Sequence, residues 1–194
     1  MAFESQRVPE GEARRSRRRG YPSYEEALRL LRSYVSDEKI LKHSIACAET
    51  AFEMAETIHR RHPELPLDPE KVRVGGLLHD IGKARPGEHE LNSVAILREE
   101  GIPELADIVL HSYPYEIFLC KGEERPEYLP RSLENKIVVY ADFLRDQEAR
   151  AVGMEERIAG IRARKRDETE RMAALKLAEP RLLRLKDEIE ALLS

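Results

Sequence analysis

Wherever apolar residues cluster in this chain they return at three- and four-residue intervals, and nowhere do they alternate as a half-buried strand requires. PSYEEALRLLRSY puts Ala27, Leu28, Leu30, Leu31 and Tyr34 at helical spacing behind the opening signals Pro22 and Ser23. Ser36 and Asp37 open a second helix through Ile40, Ile45, Phe52 and Ile58, and the prolines of HPELPLDP form a connector. A third helix is predicted over roughly 69–81, stopping at Gly82, with RPGE (85–88) as a turn. Two short helices follow around 89–100 and 103–112, the second started by Pro103. Residues 113–130, with Pro114, Gly122, Pro126 and Pro130, read as a loop. The proline-free run from Pro130 to Pro180 predicts one long helix or two stacked ones. Pro180 then opens a last helix, whose Leu182, Leu183, Leu185, Ile189, Leu192 and Leu193 make an apolar face. That face either closes onto the domain or pairs with a second subunit, a possible homodimer. The expected fold is an all-α helical bundle with no internal repeat.

A chain of 194 residues is long enough for one domain with an appendage. Residues 1–20 carry five arginines between Arg14 and Arg19 and read as a disordered basic tail. The main domain is expected over 21–160 and a C-terminal helical extension over 161–194. The formal net charge of −4 argues against a general polyanion binder, so nucleic acid is an unexpected partner. Cys47 and Cys120 lie far apart, outside any CxxC pair. With no signal-like apolar start they read as free thiols in a reducing cytoplasm. No apolar run is long enough to span a bilayer, so no membrane partner is expected.

GGLLHDIGK (75–83) sets His79 and Asp80 at the end of an apolar helical run. A buried carboxylate is costly unless it is paired or bound to a cation. A lone His-Asp pair is more often a core hydrogen bond, but further metal-capable residues also emerge from apolar surroundings. His43 shares a helical stripe with Cys47, Ala51 and Met54. His89 follows the RPGE turn, His111 ends ADIVLH, and Asp142 lies in the apolar ENKIVVYADFL. His59 and His62, in the charged HRRHPE, read as surface residues. Imidazole with carboxylate suits Fe, Mn, Co, Ni or Zn better than Ca, and the absence of Cys from the set argues against a structural zinc knot. Six ligands exceed the need of one tetrahedral ion, whereas two ions about 3.5–4 Å apart with a shared carboxylate would use them all.

His43 in ILKHSIA, His79-Asp80 in LLHDIGK and Asp142 in VVYADFL together resemble an HD-domain metal-dependent phosphohydrolase of the HDIG subgroup. His89 and His111 occupy the places of the two extra histidines of the dinuclear branch. The likeness runs from about residue 22 to 160 and departs at Ser93, where many relatives have glycine. It implies one divalent metal on His43, His79, Asp80 and Asp142, with Asp80 bridging to a second on His89 and His111. Fe, Mn, Co or Ni are the expected ions, with Mg possible. Such a metal brings the pKa of water from 15.7 towards ~7, and the hydroxide attacks phosphorus in line. The substrate implied is a nucleotide or another small phosphate ester.

Lys83 is a candidate catalytic and phosphate-binding residue, and Arg145, one turn past Asp142, a second phosphate contact. Either could equally be a surface charge. Tyr113, Tyr115, Tyr128, Lys121 and Arg125 after His111 suit a nucleotide lid, or aromatic packing on the core. Two other readings compete. A di-iron oxygenase would use a similar six-ligand set, and a non-catalytic module would bind through the Arg-rich start and the charged GMEERIAGIRARKRDETERMAALKLAEP. The mixed charges of that segment read as an ordinary solvated helix.

Overall fold

The computed structural model describes residues 20–194, so the Arg-rich start, apart from Gly20, lies outside the described residues. These fold into eight α-helices and no strand, an all-α architecture. Helix α1, Tyr24–Tyr34, starts in a capping box: Ser23 Oγ accepts from the Glu26 amide, and the Glu26 carboxylate accepts from the Ser23 amide. Asp37 caps α2, Glu38–Arg61, through the Lys39 amide at 2.8 Å. Asp68 caps α3, Pro69–Leu78, with Pro69 in its first turn. Gly76 of α3 lets that helix close on α2, since a Cβ there would sit 3.1 Å from Ala48 Cα. Helices α4, His89–Glu99, and α6, Leu133–Phe143, complete the wall around one apolar core.

Five expectations need correction. The third helix ends at Leu78, and Gly82 sits inside a 3-10 turn, Ile81–Ala84, rather than closing the helix. Of the helix expected over 103–112 only Pro103–Leu105 is helical, as 3-10; the chain then turns through Ser112 at φ 61°. The reason is visible in Asn135, which is buried and donates to the Ile108 and Leu110 carbonyls at 2.9 and 2.8 Å. A side chain that satisfies those carbonyls replaces the helical ladder.

The segment expected as loop contains α5, Pro114–Cys120. Pro114 is in its first turn and Gly122, at φ 80°, lies just past its end, so residues read as breakers mark the two ends. The proline-free run holds α6, then α7, Met154–Lys165, then the start of α8, Thr169–Leu193. Pro180 sits inside α8 rather than opening it. An interior proline forfeits a ladder hydrogen bond. Ala174, Leu175 and Ala178 before it, and Leu182, Leu185 and Ile189 after it, are all buried and hold the helix together across it. The apolar face of α8 thus closes onto its own domain. The division expected between 160 and 161 falls within α7.

Cys47 and Cys120 are free thiols. No helix among the described residues is long and apolar enough to cross a membrane. Of the two histidines read as surface residues, His59 is exposed and His62, half-buried, lies against the Leu192 carbonyl.

Candidate metal centre and its cationic wall

Five segments converge at one end of the core. His43 comes from α2, His79 from the end of α3, and Asp80 from the residue opening the 3-10 turn. His89 is the first residue of α4, His111 lies on the irregular segment, and Asp142 is in the last turn of α6. His43, His79, Asp80, His111 and Asp142 are buried, and His89 is partly so.

Backbone carbonyls set three of the imidazoles. His43 Nδ1 donates to Asp146 O at 2.9 Å, His79 Nδ1 to Gly76 O at 2.7 Å, and His111 Nδ1 to Val109 O at 2.9 Å. Each Nε2 is thereby turned to the centre, the orientation that metal-bound histidines take from such partners. His79 Nε2 has no hydrogen-bond partner and stands 3.4 Å from Asp80 Oδ2. Asp80 Oδ1, likewise unpartnered, stands 3.6 Å from both His111 Nε2 and His89 Nε2. Acceptors facing acceptors at these distances, with no proton between them, describe the surroundings of a cation. The donor set therefore fits divalent metal. Three groups are close enough to share an ion: His43, Cys47, His79 and Asp142; His79, Asp80 and His111; His89, Glu90 and His111.

Two members of those groups escaped sequence reasoning. Cys47 Sγ is 3.4 Å from His43 Nε2, although its place on the stripe marked it only as apolar filling. Burial, with Asp142 and Asp80 nearby, pushes its thiol well above the usual range. Glu90 is buried, with Oε2 3.1 Å from His89 Nδ1 but out of line for a hydrogen bond. No motif announces it.

The protonation states follow from burial against charge. Burial lowers His79 to about 3, so it is neutral, and burial lowers His89 as well. Burial also works against charged His43, yet its hydrogen bond to Asp142 Oδ1 at 3.0 Å and the charges of Asp142 and Asp80 together outweigh that and raise it. For Asp80, burial would raise the pKa, but His79, Lys83 and the other histidines hold it well below the carboxylate range. Asp142 is held down similarly by His43 and Arg157, against its own burial. The site thus presents two carboxylates and the neutral imidazole of His79, forms that bind metal.

Lys83 Nζ donates to Asp80 Oδ2 at 2.5 Å and lines the cavity above the cluster. Arg145 does not line it: its Nε and Nη2 donate to Thr50 Oγ1 at 2.9 and 2.6 Å. The guanidinium beside Asp142 belongs instead to Arg157 of α7, with Nη2 3.7 Å from Asp142 Oδ1. The segment read as solvated turns Arg157, Ile161, Arg164 and Lys165 towards a cavity of about 360 Å³ over Asp80, His89 and His111. Of the aromatics after His111 only Tyr113 lines it. Phe118 and Tyr128 pack edge to face, Lys121 pairs with Glu88 and Glu170, and Arg125 pairs with Glu123. The Arg181–Glu116 pair, at 2.8 Å, clamps α5 to α8, so this segment is packed rather than a free lid.

The family model of the HD domain matches residues 40–145, from just before His43 to just past Asp142. The chain belongs to the HD-domain family. HD domains bind divalent metals, and the family points to the metal-dependent phosphohydrolases. An uncharacterized protein of Methanocaldococcus jannaschii is 38% identical over 128 residues, 62% of this chain and 74% of that one. A tRNA (cytidine(56)-2'-O)-methyltransferase of Picrophilus torridus is 26% identical over 130 residues, 63% of this chain and 36% of the relative. A ribonuclease Y of Pseudothermotoga lettingae is 49% identical over 53 residues, 27% of this chain and 9% of the relative. These names do not converge on one activity. No solved structure matches the chain significantly.

Proposed function

We propose that this HD domain hydrolyses a nucleotide or another small phosphate ester. The observation that carries the reading is the pair of buried, unpartnered atoms, His79 Nε2 and Asp80 Oδ1, beneath a cavity lined by Lys83 and Arg157. His43, His79, Asp80 and Asp142 would hold one metal, and His89 and His111 a second that shares Asp80. Divalent metals bound there supply a Lewis acid and activate water for attack on phosphorus. The protein's own part is positioning. Arg157 has a nine-tenths buried side chain with Nε and Nη1 unpartnered, leaving two donors for phosphoryl oxygens. Lys83 offers a third cationic donor at the same wall. A dianion entering this cavity would thus be met by the held guanidinium of Arg157.

The test is elemental mass spectrometry on chain purified without chelator, alongside phosphate release from a monoester, a phosphodiester and a nucleotide panel with Mn, Ni, Co and Mg. About two transition metals per chain with metal-dependent release is the expected result. His111→Ala is expected to retain one ion and lose turnover. Two ions per chain in that variant would refute the dinuclear assignment. Iron with oxygen consumption and no hydrolysis would replace the reaction by oxygenation.

A further inference from the structure

The cationic wall holds more charge than one phosphate needs, and its charges are not equally engaged. Lys83 is taken by Asp80 at 2.5 Å, Lys165 by Glu168 at 2.6 Å and Arg171 by Glu88 at 2.8 Å. Arg157 touches Asp142 only with Nη2 at 3.7 Å, and its other two nitrogens are buried without partners. Arg164 makes no hydrogen bond or ion pair among the described residues and lines the same cavity. Asp146, the nearest carboxylate of the loop between α6 and α7, is bound to Arg150 at 2.6 Å. Glu168, the acidic residue at this end of the cavity, is already shared by Lys165 and Arg171.

Arg157 and Arg164 are seven residues apart, two turns of α7, and therefore share a face with about 10 Å between their Cα atoms. Partial burial and the repulsion of Arg157 lower the pKa of Arg164, as expected of two like charges facing one cavity with no anion between them. Arg157 lies beside Asp142 with its side chain nine-tenths buried, and Arg164 is exposed, with Ile161 and Tyr113 lining the same cavity.

We infer that α7 carries a second anion subsite at Arg164, and that the substrate is a small molecule with two linked phosphoryl groups, one at the cluster against Arg157 and the next against Arg164. This rests on the phosphohydrolase reading only in placing the first phosphoryl group at the cluster. A monophosphate fills the lower position and leaves Arg164 without an anion. Specificity for the longer substrate then comes from α7, outside the ligand-bearing segments.

Calorimetric titration of the full chain with methylenebisphosphonate and with methylphosphonate tests this, because neither probe has a P–O–C or P–O–P bond for water to cleave. The bisphosphonate is expected to bind more tightly. Arg164→Ala should weaken it by about 10-fold, the worth of one charge-assisted hydrogen bond, while leaving methylphosphonate within about twofold. Arg157→Ala should weaken both probes, and Arg164→Lys should recover part of the bisphosphonate affinity. Arg164 is exposed, so its loss leaves the core intact. Unchanged bisphosphonate affinity in Arg164→Ala, or an equal loss for both probes, overturns the subsite while the proposed hydrolysis stands. A bisphosphonate preference that depends on Arg164 in a chain that releases phosphate from no ester supports the subsite and removes the reaction.

Discussion

Replacing Asp80 with alanine is expected to remove bound metal and phosphate release in one step. Its two oxygens are the common neighbours of His43, His79, His89 and His111, at 3.4–3.9 Å, and among the described residues no other carboxylate reaches all four. Without this anion the four imidazoles surround a gap with no shared carboxylate. The loss of turnover is expected to be on the order of 10²–10³-fold, the several kcal/mol that a bound metal supplies to a transition state. Metal content and phosphate release are measured on the same preparation. Asp80→Asn, which keeps the shape, separates loss of the charge from loss of packing. An Asp80→Ala chain that retained both ions, or a tenth of the activity, would remove the shared-carboxylate arrangement from consideration.

Gly82→Ala is expected to be the most destabilising single-methyl change near the site. A Cβ there would lie 2.0 Å from His89 O and 2.4 Å from Ser93 N, both backbone atoms of α4. Neither can swing aside as a side-chain tip would. The Ser93 hydroxyl occupies the same crossing: it accepts from the Gly82 amide at 2.9 Å and donates to His79 O at 2.6 Å. Ser93 thus latches the 3-10 turn to α4. Forcing them apart is expected to cost about 3 kcal/mol, at the upper end of overpacking. In a chain of this size that lowers the melting temperature by about 10 °C. It also moves His89 relative to Asp80, so metal content should fall with stability. A variant melting within about 2 °C of the parent would mean the turn can slide, and would refute the close-packing account.

The sequence made α1 and α2 legible because each carries a cap and an apolar stripe of the right period, two independent signals for one boundary. The six metal-capable residues were legible because an ionisable group amid apolar neighbours is conspicuous in a linear chain. The positions that escaped depend on what lies across a gap. Asn135 reads as a polar residue at a helix start, and nothing local says that its amide will hold the carbonyls before His111. Pro180 reads as a boundary, since packing on both sides of it is a tertiary matter. Arg157 was hidden for a different reason. Alternating charge on a helix is the pattern of a solvated surface, and it is unchanged when one edge of that surface overhangs a cavity. Arg145, closer in sequence to Asp142, was the natural choice. The turn after α6 gives it to Thr50 instead.

The ammonium of Lys83 already sits on Asp80. A site whose carboxylate waits bare for its ion cannot fold cheaply without it, and metal then acts as a structural keystone. Here Asp80 already has a counter-ion in Lys83, so a metal held there would replace one positive charge with another and the fold would gain only the difference between two cations. Loading is an exchange of counter-ions rather than the completion of a core. The chain stripped of metal is therefore expected to keep a single cooperative melting transition in a calorimetric scan with chelator, and loss of that transition would make the ion part of the scaffold. A Lys83 ammonium released from Asp80 by such an exchange would remain at the cavity it already lines.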